Sequence, residues 1–140
     1  MKTNTPAEFH GIDIYQKGFL PLHSFGHWRV MSSGVDQKER LSVLQKHEQS
    51  DEVFVVLRGR GWMLLGECPL RLEAYPMEEG RSYVVPAGVW HAHALEAGTQ
   101  LLIVENEDTG LENSPVTVLT TEQIAACDRL ISAGRTEAGC

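Results

Sequence analysis

Two histidines and a glutamate have the types and spacing to hold a metal. His47 closes one short apolar segment, Glu52 heads the next, and His91 opens a third. If these segments are strands, alternate side chains share a face. Gln45 then lies on the face of His47, Phe54 and Val56 on that of Glu52, and His93 and Leu95 on that of His91. A carboxylate at the head of an apolar strand needs a partner if it points inward, because an unpaired buried charge is costly. Two imidazoles and one carboxylate converging on a point suit a divalent transition metal, with positions left open for water or substrate. A buried His–Glu–His hydrogen-bonded network without metal is the alternative on the same residues.

Other candidates surround this set. Gln45 could add a weak amide-oxygen ligand or simply line a cavity. His93, one rung from His91, could compensate as a ligand or form a cavity wall. His23 and His27 are four apart, a metal-pair spacing on a helix. Pro21 and Gly26 argue against a helix there, so both are expected at a surface or edge. Glu105 ends a strand and is expected to be solvated with the acidic stretch 105–108, a general base being the alternative. Phe54, Met63 and Tyr83 are each expected in the core, although together they could line an apolar pocket. No nucleophile elbow, phosphate-binding loop or dinucleotide fingerprint occurs. Cys68, in a turn-like segment before Pro69, has no evident base partner.

The elements that must position these residues are short strands. Candidate strands cover 28–32, 41–47, 53–57, 61–65, 70–75, 82–85, 91–95 and 99–105, separated by Gly, Pro and charged turns. This spacing points to an all-β barrel or sandwich. Segment 53–57 is apolar throughout and is expected to pack on both faces. Gly59 and Gly61 mark a hairpin. The C-terminal part differs. Thr120 and Gln123 fit a capping box, with Leu119 and Ile124 as the hydrophobic staple. Ile124, Cys127, Leu130 and Ile131 share one helical face, and Gly134 stops the helix. One amphipathic helix over about 121–133 is expected to lie against the barrel.

Composition narrows the classes. The 140 residues fit a single domain, with a barrel over about 12–106. Apolar residues make up 42%, enough for a real core. A net charge of −7 without a basic cluster speaks against nucleic acid and against an anionic membrane surface. The segment 1–11 is polar and reads as a loose leader rather than a signal peptide, with His10 exposed in it. The longest uninterrupted apolar run, 53–57, is far too short to span a bilayer. Cys68, Cys127 and Cys140 form no CxxC pair, so a reducing cytoplasm is the expected compartment.

The two halves of the candidate site resemble the paired motifs of the cupin superfamily. His47, four residues, Glu52, six residues and Gly59 match the second half of its first motif. Gly80, five residues, Pro86-Ala87-Gly88, two residues and His91 match most of its second. The resemblance spans Gln45 to Leu95 and is similar to small bacterial-type cupins carrying Asp51-Glu52-Val53-Phe54 and Val85-Pro86-Ala87-Gly88-Val89-Trp90-His91. It implies a jelly-roll barrel, a homodimer, and a metal held by His47, Glu52 and His91; iron, manganese, nickel or zinc would fit. Two positions depart from the pattern. Gln45 stands where the family usually has its first histidine, and Leu95 where an asparagine often closes the second motif.

Three functions follow as expectations. A metal-dependent enzyme on a small organic molecule could be a dioxygenase, isomerase or decarboxylase. A non-catalytic module binding a sugar or metabolite is favoured by Gln45. An interaction domain, using the helix to meet a partner, is the third. One barrel hosts many functions, so fold alone does not choose.

Overall fold

Alternating apolar and polar residues fold most of the chain into antiparallel strands, because each strand must bury one face. The computed structural model describes residues 11–134; residues 1–10, with His10 and most of the leader, and 135–140, with Cys140, lie outside the described residues. Ten strands and one helix follow in order. They are β1 (Gly18–Phe25), β2 (Trp28–Gly34), β3 (Val43–Gln45), β4 (Glu52–Arg58) and β5 (Arg60–Cys68). Then come β6 (Arg71–Glu78), β7 (Ser82–Val85), β8 (Trp90–Leu95), β9 (Gln100–Asn106), β10 (Val116–Val118) and α1 (Thr121–Ser132). They form two five-stranded sheets, ordered β1-β2-β9-β4-β7 and β10-β3-β8-β5-β6. This is the expected all-β jelly roll with a C-terminal helix.

The strands read from sequence are present, and two more join them. β1 is an exposed edge strand holding Pro21, next to which the pairing with β2 slips. Proline cannot donate to a ladder and is confined to such edges, so this segment lacks a strand's usual pattern. β10 is three residues long and directly follows Pro115. Its partner β3 is only Val43–Gln45, so the strand expected over 41–47 shortens and His47 sits in the loop after it.

The core has two compartments. Between the sheets lie Met31, Phe54, Val56, Met63, Met77, Val85, Leu95, Leu101 and Ile103, with Tyr83 packed against them. Phe54 and Val56 point inward along β4, while Val53, Val55 and Leu57 are half-buried on its other face. On the outer face of the second sheet, Leu44, Leu64, Ala74 and Trp90 meet Leu119, Ile124, Cys127, Leu130 and Ile131. The helix therefore covers the barrel with the face read from its periodicity. Its capping box is complete: Thr120 Oγ1 accepts from Gln123 N–H (3.1 Å), and Gln123 Oε1 accepts from Thr120 N–H (2.8 Å).

Candidate metal centre

The turn before β8 is built to deliver His91. Val89 N–H donates to the carbonyl of Pro86 (3.3 Å), and Gly88 takes φ +82°, which a side chain would strain. Gly88 N–H donates to the carbonyl of His47 (2.7 Å), and Ala87 N–H donates to Asp51 Oδ1 (2.8 Å). These two bonds tie the second motif to the first. Trp90 then faces outward, with Lys46 Nζ 5.0 Å from its ring centre, and His91 faces inward.

His47, Glu52 and His91 come together. One nitrogen or oxygen from each lies within 4.8 Å of the others, and all three residues are buried. Glu52 Oε2 is 2.7 Å from His47 Nε2 and 3.0 Å from His91 Nε2. The outer ring nitrogens anchor both rings, and at His91 the partner fixes the tautomer. His91 Nδ1 lies 3.0 Å from the carbonyl of Val89, which only accepts, so Nδ1 must donate. His47 Nδ1 lies 2.7 Å from Ser114 Oγ, a hydroxyl that can either give or take the shared proton. In a neutral His91 ring Nε2 is then a lone pair. That lone pair and His47 Nε2 both face the Glu52 carboxylate oxygen, an arrangement suited to a bridging cation. A proton or a divalent metal would bridge them, and outer hydrogen bonds of this kind orient metal-bound imidazoles.

Electrostatics agree with a cation-seeking centre. Burial would raise the Glu52 carboxyl, but with protons on the inner ring nitrogens the hydrogen bonds from His47 and His91 override it and hold the group at about 2. Burial opposes charging of His47, yet the bond to Glu52 and the charges of Glu52 and Glu105 push it above its ordinary value.

The flanking candidates fall as follows. Gln45 is half-buried, pairs with His91 across the ladder, and lines the cavities on both sides of the cluster. His93 stands outside the converging set, and its Nδ1 is 2.7 Å from Glu39 Oε1. His23 is on the exposed edge strand and His27 in the exposed turn after it. The solvated end expected for Glu105 is corrected. Its carboxylate is buried, bonded through Oε1 to Arg29 Nε (3.0 Å) and an Arg29 terminal nitrogen (2.5 Å). Its Oε2 lies 3.7 Å from His47 Nε2. Burial raises its carboxyl although Arg29 opposes that. The parity of β9 carried the signal, since Leu101, Ile103 and Glu105 alternate inward. Arg29, Glu39 and Ser114 were not singled out from sequence, because their partners lie 54 to 76 residues away.

Two cavities open beside the cluster. One, of about 340 Å³, reaches Glu52 and His91 past Phe54, Ile103 and His93. The other, of about 290 Å³, reaches His47 and Glu52 past Arg29 and Glu105. Phe19 of β1 lines both. Among the described residues no helix is long and apolar enough to cross a membrane.

A family model described as Cupin domain matches residues 34–105. No curated protein matches. Among solved structures, the Bacillus halodurans protein BH2720 is 20% identical over 85% of this chain and 94% of its own, with a TM-score of 0.61. The Streptomyces nucleoside dehydratase Pac13 is 12% identical over 77% of this chain and 86% of its own, with a TM-score of 0.60. KdgF from Halomonas sp. is 15% identical over 63% of this chain and 76% of its own, with a TM-score of 0.53. At these identities the likeness is one of fold.

Proposed function

The chain belongs to the cupin family, and on that premise we propose that it holds a divalent transition metal on His47, Glu52 and His91 and presents it to a small organic molecule in the barrel. The observation that carries this reading is the convergence of two imidazole nitrogens on one buried carboxylate oxygen, each ring held by a hydrogen bond on its far side. Iron, manganese, nickel and zinc all accept such a nitrogen and oxygen set. Bound there, the metal would supply Lewis-acid or redox chemistry at an open position. The chain's own residues would do the rest. Ser114 and Val89 keep the rings oriented, Phe54 and Ile103 exclude water, and Gln45 faces the ligand from the ladder opposite His91. Isomerase, decarboxylase and dioxygenase chemistries fit this frame, and Pac13, of similar fold, is a nucleoside dehydratase that has been described with uridine. Pairing into a homodimer is part of the proposal, supported by the exposed Phe19, Phe25 and Trp28 along β1 and β2.

A second reading has its own observation. Gln45 occupies the position of a usual family ligand, which favours a binding module that takes a sugar or metabolite without turning it over. Elemental analysis of chelator-free protein separates the two. Near-stoichiometric metal that is lost in His91→Ala, with the fold kept, is the expected result. No metal in either protein, even after anaerobic addition of iron, manganese or zinc, would overturn the metal reading in favour of the module. Gln45→His should tighten metal affinity about tenfold or more, because imidazole is the stronger ligand.

A further inference from the structure

The larger cavity contains a second built pair, Glu39 and His93. Glu39 is pinned to the end of β8 from three directions. Its backbone N–H donates to the carbonyl of Leu95 (2.9 Å). Its Oε1 accepts from Leu95 N–H (3.0 Å) and from His93 Nδ1 (2.7 Å). With Nδ1 donating, His93 Nε2 of the neutral ring is an acceptor. Among the described residues, neither that nitrogen nor Glu39 Oε2 has a hydrogen-bond partner. A carboxylate needed only to close the strand end would have no reason to orient an imidazole as well.

The surroundings set what such a pair can receive. Phe54 lies edge-on to both His91 (6.3 Å between centres) and His93 (5.9 Å), so an apolar floor joins the two. His91 and His93 are two strand positions apart, roughly 6.7 Å. The half-buried guanidinium beside the cluster, Arg29, lines the other cavity and is occupied by Glu105 and by the carbonyls of Thr109 and Glu107. Arg40 lines the larger cavity but is exposed. An anionic group at His93 would therefore meet the Glu39 carboxylate with no buried cation to offset it. An ammonium would satisfy the acceptors but offer no acceptor to the Gln45 amide N–H, which lines the same space. A hydroxyl both donates and accepts.

We propose that Glu39 and His93 form a hydroxyl-recognition site, so that the molecule taken by this cavity is neutral and polyhydroxylated, with one oxygen at the His47–Glu52–His91 cluster and a hydroxyl on His93 Nε2. This rests on the reading that the cavity beside the cluster is where the small molecule binds. The test is NMR on protein with labelled histidine, titrated with a panel of neutral polyols that includes glucose, and with glucuronate, glucose 6-phosphate and glucosamine. At least one neutral polyol should shift the His93 ring resonances, and Glu39→Gln and His93→Gln should each weaken it about tenfold. The two anions should bind at least that much more weakly. Backbone amide spectra check that both variants keep the fold. An anion or the amine binding at His93 as tightly as the polyol would overturn the proposal. So would unchanged affinity in both variants, or a panel in which no polyol moves His93. Metal analysed in the same samples keeps the two readings apart. Polyol binding at His93 without metal supports this site while removing the metal reading; full metal with no polyol at His93 does the reverse.

Discussion

At Glu52 one oxygen serves two imidazoles, and this sets how the metal-free centre responds to pH. The folded carboxyl titrates at about 2, below its ordinary 4.5. A lowered value means the folded state favours the ionised form, so this stabilisation is present above 4.5 and is lost as the pH falls towards 2. His47 has the opposite sign. Its raised value gives stabilisation that is whole below 6.5 and is lost as the pH rises through the folded value. Thermal melts in chelator should show a maximum between these limbs; Glu52→Gln should flatten the acid limb and His47→Gln the alkaline one. Arg29 and Glu105 give a second prediction. Removing the guanidinium strands a buried carboxylate, so Arg29→Met should cost about 3 kcal/mol in urea unfolding. The double variant Arg29→Met with Glu105→Leu should recover most of it, measured as a double-mutant cycle.

The elements show which parts of this were legible beforehand. Residues whose partners are set by strand parity or by a local cap could be read from sequence. Phe54 and Val56 follow Glu52 inward, and Thr120 meets Gln123 within one turn. The spacing from His47 to Glu52, and the turn Pro86-Ala87-Gly88 before His91, likewise marked three of the cluster's residues. What could not be read depended on pairings across the barrel. Arg29 meets Glu105 only because β2 and β9 pair in that register. Glu39 lies in a loop, where no periodicity applies, and is placed by bonds to β8. β1 and β10 escaped because β1 is exposed at most of its positions and β10 is only three residues long, so neither buries a face that would impose a readable alternation. The helix was legible and makes its own prediction. Amides from Cys127 to Ile131, on the face against Leu64 and Ala74, should exchange slowly, because opening them uncovers the outer core. Rapid exchange along all of α1 would contradict this packing.

Across the whole molecule the centre bridges the two sheets. Glu52 opens β4 in one sheet; His91 lies on β8, and His47 follows β3, in the other. Opening the barrel mouth therefore means parting Glu52 from both histidines. The consequence is kinetic. A clasp between two faces that are 39 residues apart along the chain at Glu52 and His91 is expected to close late in folding, after the sheets have met. Interactions absent from the transition state act on the unfolding rate and leave the folding rate nearly alone. Loading the centre with metal should therefore lower the unfolding arm of a chevron plot while the refolding arm stays in place. The lifetime of the native barrel, more than the speed of reaching it, would then track metal supply.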